Sequence, residues 1–198
     1  MITRATVKNS PELAVLHHDT ISRGFLSKLG TGFLQSMYSF LIQNELVLVY
    51  KEGNTVLGFV SCAITAGGIM KRFLVSSPAA IFKIIFALLK NPTLIRSLWE
   101  TYRAPSLSTS GSYESVEIPE TELLSISVSP QAQKGGIGTQ LLLALEMELA
   151  KNGIGKYKVV AGEKLEGANK FYLKNGFHLA KQITIHGSDV SNVYVKEI

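Results

Sequence analysis

The chain has 198 residues, 46% of them apolar and 18% charged, and carries a net charge of +5. It is long enough for one domain with a substantial core and too apolar for a disordered segment. Its basic residues are scattered with no run of five, which argues against nucleic acid as a partner and suits either a solvated basic surface or a polyanionic small ligand.

The N-terminal stretch from Met1 to Lys8 lacks the apolar run of a signal peptide, the pattern of a cytoplasmic protein. Residues Ile2 to Val7 alternate as a strand does. Asn9-Ser10-Pro11-Glu12 then opens a helix with a capping residue, an early proline and an early carboxylate, and the helix runs to about Ser22. His17 and His18 are adjacent on it and point to different sides, and no His or Cys stands at ligand spacing, so no metal site is expected. A loop or short helix from Gly24 to Gly30 leads to a second helix, about Thr31 to Gln43, with Phe33, Leu34, Met37, Tyr38 and Leu41 on its apolar side. Leu46 to Tyr50 and Val56 to Ile64 form a hairpin closed by Lys51-Glu52-Gly53-Asn54. Cys62, the single cysteine, lies in that apolar run and belongs to the core.

Residues 68–120 read as a helical insert. Ser77-Pro78 starts a helix from Ala79 to Leu89 that is apolar nearly all round, Asn91-Pro92 breaks it, and Thr93 to Tyr102 forms another. The first is too short to span a bilayer. Four covers are open to it: the domain's own core, a second subunit in a homodimer, a membrane surface, or a long apolar substrate. The first two together are favoured. Lys71, Arg72, Lys83, Lys90, Arg96 and Arg103 keep a membrane-surface role as an alternative. Ser106 to Tyr113 is a Ser/Gly-rich loop.

Next come an apolar strand, Leu123 to Val128, the turn Gln133-Lys134-Gly135-Gly136-Ile137-Gly138, and a helix from Thr139 to Leu149 ended by Lys151-Asn152-Gly153. A strand, glycine-rich turn and helix in that order aim unpaired backbone N–H groups, backed by the positive end of the helix, at one point. That makes an anion site, most naturally for phosphate, with Gly136 and Gly138 letting the phosphate approach the backbone. The spacing is neither that of a P-loop nor G-x-G-x-x-G. A fifth strand, Lys156 to Ala161, precedes a segment from Glu166 to Phe177, and two terminal strands follow, His178 to Ile185 and Val193 to Ile198, joined by Gly187-Ser188-Asp189.

The turn matches Q/R-x-x-G-x-G/A through Gln133, Gly136 and Gly138, and Ala168, Phe171, Tyr172, Gly176 and Phe177 match A-x-x-F-Y-x-x-x-G-F. With these two motifs in this order, the chain resembles the GNAT superfamily of acyl-coenzyme A-dependent N-acyltransferases. The resemblance is carried by the stretch from Leu123 to Phe177; the N-terminal third adds a matching order of elements. It implies an α/β fold with a mixed, mostly antiparallel central sheet, flanking helices, and here a helical insertion between the third and fourth strands, all within one domain over residues 1–198.

The resemblance also implies roles. Acetyl-coenzyme A is the co-substrate, with no metal, and the acceptor is a small-molecule or peptide amine. The pyrophosphate is held by Gln133, Lys134, Gly135, Gly136, Ile137, Gly138 and Thr139. The pantetheine arm pairs with Ile126, Ser127 and Val128. The N–H of Val128, where the fourth strand parts from its neighbour, stabilises the oxyanion. Tyr172 stands beside the sulfur as general acid, its ordinary pKa of about 10 being near enough to a thiol's for useful transfer. Glu122, just ahead of the fourth strand, is the candidate base acting through water, with Tyr113, Glu114 and Glu117 as less secure alternatives. Many members hold the coenzyme A arm with an asparagine seven residues before the tyrosine; Leu165 occupies that position here, and Asn169 is the nearby substitute. The first two helices and their link form one wall of the acceptor pocket. The implied reaction is direct acetyl transfer in a ternary complex, since no nucleophile is placed for a covalent intermediate. A non-catalytic acyl-coenzyme A sensor or scaffold is the alternative from another class.

Overall fold

The computed structural model describes residues 1–21, 25–90, 117–185 and 189–198. The described strands are β1 (Ile2–Arg4), β2 (Leu46–Glu52), β3 (Thr55–Ala63), β4 (Glu122–Val128), β5 (Lys156–Gly162), β6 (His178–Ile185) and β7 (Asp189–Glu197). They form one sheet in the order β1-β2-β3-β4-β5-β7-β6. All neighbours are antiparallel except β4 and β5, which run parallel. The helices are α1 (Ser10–Thr20), α2 (Phe25–Lys28), α3 (Thr31–Asn44), α4 (Ile69–Ser76), α5 (Pro78–Lys90), α6 (Ile137–Lys151) and α7 (Glu166–Lys174).

Both faces of the sheet are covered, which is why β2 reads as an unbroken apolar run. Val47, Val49 and Phe59 face a core built with Leu13, Phe33, Leu34, Tyr38 and Leu41 of α1 and α3. Leu46, Leu48, Val60 and Cys62 face the opposite core, with Leu141, Leu145 and Leu149 of α6 and Tyr172 of α7. Cys62 is fully buried, and burial pushes its thiol up to about 12, so it is an inert packing residue. The α6 side is tightest at Gly58, where an added Cβ would stand 3.0 Å from the Ser127 carbonyl oxygen and 3.1 Å from Leu141 Cδ1. Gly58→Val is expected to cost about 1–3 kcal/mol by overpacking, read as a lower urea midpoint at unchanged m-value.

Several boundaries differ from the sequence reading. β1 is shorter, because a 3-10 turn takes up Val7–Asn9. Val15 of α1 is exposed. α4 was not foreseen, since Gly67-Gly68 ahead of it reads as a turn; Phe73 anchors it among Phe33 and Phe40. β7 begins at Asp189, a residue assigned to the connecting turn. The helix expected over 93–102, the loop over 106–113 with Tyr113, Glu114 beyond it, and His186 lie outside the described residues.

α5 buries Ala80 and Ile84 against the α1/α3 core and exposes Ile81, Phe82 and Ile85, with Phe82 73% exposed. Two members of the basic patch do not serve as free surface charge. Lys83 Nζ donates to the Gly32 carbonyl at 2.8 Å and to Ser36 Oγ at 2.6 Å, fastening α5 to α3. Arg72 donates to Glu45 Oε1 at 2.7 Å and to the carbonyls of Gly67 and Thr65. Among the described residues no helix is long and apolar enough to cross a membrane.

Candidate functional site

β4 and β5 pair over two positions only, Glu122 with Lys158 and Leu123 with Val159. Past them the strands part, and a cleft of about 880 Å³ opens, lined by residues 124–128 on one side and 160–168 on the other, with Thr20 and Ile21 across from them and Tyr172 in the wall. A β-bulge marks the fork. β3 residues Ser61 and Cys62 face Ser125 and Leu123, so Leu124 is an extra residue in β4. Leu123 accordingly packs on the α6 side and Leu124 on the α1/α3 side.

The backbone beyond the bulge faces the cleft in alternation. The Ser129 N–H donates to the Leu57 carbonyl at 2.8 Å, so the groups of Ser129 point to β3 and those of Val128 point away from it, across the gap. Gln133 reaches back into the same space and donates from Nε2 to the Val128 carbonyl at 3.0 Å. Ile126 and Val128 are half-buried, and Ser127 is buried with its hydroxyl 2.6 Å from that of Thr20.

The glycine-rich turn stands at the open end of the fork. Lys134 (φ 67°) and Gly136 (φ 76°) are both left-handed, and Gly136 caps α6. The helix starts two residues earlier than its sequence period suggested, at Ile137, whose side chain is buried in the core. The Gln140 N–H is bonded to the Gly136 carbonyl at 3.0 Å, which leaves the amides of Ile137, Gly138 and Thr139 as the first-turn donors of α6. Gln133, Lys134, Gly135 and Gly136 are exposed beside them. The two fixed glycines serve different ends from the shared one expected. Gly136 is demanded by its backbone, with nothing within 4 Å of an added Cβ. Gly138 is demanded by packing, since its Cβ would stand 3.2 Å from Phe171 Cε2.

Tyr172 lines the cleft and is 6% exposed. Its ring meets Phe171 and Phe177 edge-on, at centroid distances of 5.5 and 5.4 Å. Burial alone raises its hydroxyl above the ordinary tyrosine range.

Two other candidates are placed elsewhere. Glu122 is not ahead of β4 but its first residue, on the last rungs before the fork, and the cleft lining does not include it. Its carboxylate lies 3.7 Å from Lys158 Nζ; burial raises its pKa while Lys158 opposes the rise. Glu117, one of the alternatives, is exposed and ion-paired to Lys156. Asn169 also stands outside the cleft lining, with its amide occupied. Nδ2 donates to the carbonyls of Gly162, Glu163 and Leu165, and Oδ1 accepts from Asn192 and from the Tyr194 hydroxyl. It braces the turn between β5 and α7, a task its sequence position did not reveal. Leu165 does line the cleft.

Sequence reasoning missed the polar side of the α1 wall. His17 is 2% exposed, and its Nδ1 lies 2.6 Å from the Tyr38 hydroxyl. Ser125 of β4, which lines the cleft, is among the groups near Tyr38. The available signal was a tyrosine on the apolar side of α3 opposite one of two adjacent histidines. Among the described residues no group of His, Cys, Asp and Glu is arranged to hold a metal.

No curated protein matches the sequence. Residues 107–179 match the family model of the acetyltransferase (GNAT) domain. Among solved structures, an N-acetyltransferase from Staphylococcus aureus Mu50 is 20% identical with a TM-score of 0.62, over 99% of this chain and 100% of that one. The PaiA N-acetyltransferase of Thermoplasma acidophilum, solved in complex with coenzyme A, is 16% identical with a TM-score of 0.60, over 100% and 98%. The ribosomal-protein-alanine N-acetyltransferase of Brucella melitensis is 15% identical with a TM-score of 0.61, over 100% and 99%. The family's sequence match thus covers residues 107–179 of the chain, and these solved structures share its fold along its length.

Proposed function

We propose that the protein is an N-acetyltransferase that moves an acetyl group from acetyl-coenzyme A directly to an amine in a ternary complex. The observation that carries this reading is the fork between β4 and β5, which ends at the first turn of α6 and holds Tyr172 in its wall. The pantetheine arm lies along residues 126–128, and the pyrophosphate meets the amides of residues 137–139. The coenzyme A-bound relative from Thermoplasma acidophilum supports the donor. The acceptor is a small-molecule or peptide amine, the class to which the ribosomal-protein-alanine enzyme's name points.

The amine nitrogen attacks the thioester carbon, a C–N bond forms, and the carbonyl pair moves to oxygen. The N–H of Val128, aimed across the gap, meets that oxyanion. The C–S bond breaks as the oxyanion collapses, the sulfur takes up the proton of the Tyr172 hydroxyl, and the nitrogen releases its own proton to solvent water, from which the phenolate is reprotonated. Glu122 is held off the cleft beside Lys158, so in this reading the amine arrives neutral and no side-chain base is assigned. The whole chain acts as one domain, with α4 and α5 as the start of its insert, in the cytoplasm.

Calorimetry with acetyl-coenzyme A tests the donor site. Wild type is expected to bind, and Gly136→Glu to bind at least about tenfold more weakly, because a carboxylate is then set beside the helix N-terminus. Thermal melts of both separate lost binding from lost folding. Absence of binding by folded wild type would sink the donor assignment.

A further inference from the structure

On the α1 side of the cleft two hydroxyls meet, and the hydrogen bonds among them run one way. Past the bulge the side chains of β4 alternate between the two faces of the sheet. Ile126 and Val128 pack toward the α6 core. Ser127 faces the other way. It stands opposite Phe59 of β3, a member of the α1/α3 core, and its Oγ lies 2.6 Å from Oγ1 of Thr20, the last residue of α1. Ser127 is buried, and both residues line the cleft. Hydroxyls in such a place cost stability unless their protons find partners.

Thr20 has one hydroxyl proton. Its Oγ1 donates that proton to the Leu16 carbonyl, one turn back on α1, at 2.5 Å. A carbonyl oxygen can only accept, so the Thr20 proton is committed there. The proton between Thr20 and Ser127 therefore belongs to Ser127, which donates to Thr20. With its own proton held inside the wall, Ser127 keeps two oxygen lone pairs and has nothing left to donate. A serine without such a neighbour turns its hydroxyl to suit a donor or an acceptor; Thr20 takes that choice away. The parts of the thioester donor are met elsewhere in the acetyl-transfer reading. Its pyrophosphate faces the first-turn amides of α6, and its oxyanion faces the N–H of Val128, aimed across the gap. The α1 face is left to the second substrate.

We propose that Ser127 Oγ accepts an N–H of the acceptor amine, and that Thr20 is the positioning residue which holds the serine's proton out of the way. An N–H given to Ser127 leaves the nitrogen lone pair free for the thioester carbon, whereas a hydroxyl donating into the cleft would bind that lone pair instead. The bond strengthens as the nitrogen gains positive charge during attack, so it favours the transition state over the bound amine. The inference rests on the acetyl-transfer reading above and names the group at that site which meets the second substrate.

Two coenzyme A thioethers test it without knowledge of the natural acceptor. One carries S–CH2–C(=O)–NH–propyl, which places an N–H where the amine would stand. The other replaces that NH by CH2. Calorimetry on wild type is expected to favour the NH probe by about tenfold, the worth of one hydrogen bond. In Ser127→Ala the preference is expected to vanish while affinity for coenzyme A itself is kept. In Thr20→Val, which keeps the shape and removes the hydroxyl, the serine proton is released and the preference is expected to fall, again with coenzyme A affinity kept. Equal affinities of wild type for the two probes, or an unchanged preference in Ser127→Ala, overturn the proposal. Weaker binding of coenzyme A by folded Ser127→Ala also overturns it, by assigning the hydroxyl to the pantetheine arm. An unchanged preference in Thr20→Val removes Thr20 from the positioning role. Thermal melts separate a lost contact from a lost fold, and the wild-type comparison of the two probes needs no variant at all. Failure of wild type to bind acetyl-coenzyme A and both probes overturns the acetyl-transfer reading and this proposal with it, whereas binding without the NH preference overturns this proposal alone.

Discussion

Tyr172→Phe is expected to lower kcat for acetyl transfer by about 10²-fold or more, the usual share of a positioned proton donor, and to leave acetyl-coenzyme A affinity within about threefold. The ring stays where Phe171 and Phe177 hold it edge-on, so the variant removes a hydroxyl and little else. Burial raises the hydroxyl's pKa, which makes the phenolate harder to form and the phenol a donor at every working pH. The raised value sets a sign for the pH profile. A general acid of ordinary pKa would begin to lose activity as pH approaches about 10; Tyr172 contributes no such alkaline limb up to that point. Stopped-flow thiol release with an amine found by screening reads kcat, and calorimetry reads affinity. Undiminished kcat would remove Tyr172 from the chemistry and leave it as cleft wall.

Unfolding free energy is expected to fall by about 3 kcal/mol as pH drops from 6.5 to about 4 on account of His17 alone. The pKa is lowered in the fold, so across that window the unfolded chain binds a proton that the folded chain refuses. Stability is therefore full above 6.5, is lost as pH falls, and is lost no further below about 4. The magnitude follows from about 1.4 kcal/mol per pKa unit. Desolvation is the leading cause and the neighbouring His18 adds to it. Glu122 works in the opposite direction: its raised pKa favours the fold at low pH and withdraws that support as pH rises past the ordinary carboxylate range. Urea unfolding at pH 7.5, 5.5 and 4.5 measures the net slope. His17→Gln should flatten it, because its amide does not titrate; an unchanged slope in that variant would assign the acid sensitivity elsewhere.

The strands, the long helices and the glycine turn were legible because each has a period or a punctuation mark that needs no tertiary information. Leu46 to Tyr50 is apolar at every position, as a doubly covered strand must be. The fork was not legible from Leu123-Leu124-Ser125 itself. An extra residue in β4 shows only against its β3 partners, and the run of apolar residues hides the place where the alternation skips. Glu122 was misplaced for the same reason: a charged residue beside a strand looks like an end, and here Lys158 on the neighbouring strand lets it be a member. Asn169 shows the limit of carrying a residue type across a family. Its five partners lie on β5, on β7 and in the turn between β5 and α7, and nothing in a linear motif distinguishes an amide that meets a ligand from one that ties a loop. His17 was ambiguous beside His18 until α3 supplied the hydroxyl.

The contact between Gly138 and Phe171 joins two motifs that stand apart in sequence. A Cβ at 138 would stand 3.2 Å from the ring edge, so the glycine is a notch into which the aromatic of α7 fits. Phe171 precedes Tyr172 on that helix. A residue of the phosphate-turn motif and the residue before the proposed acid are thus two halves of one fitted joint. A Cβ at 138 asks the Phe171 ring to give by a few tenths of an ångström, and a bulkier residue there would press on the helix that carries the hydroxyl, so substitutions at 138 and 171 are expected to be non-additive.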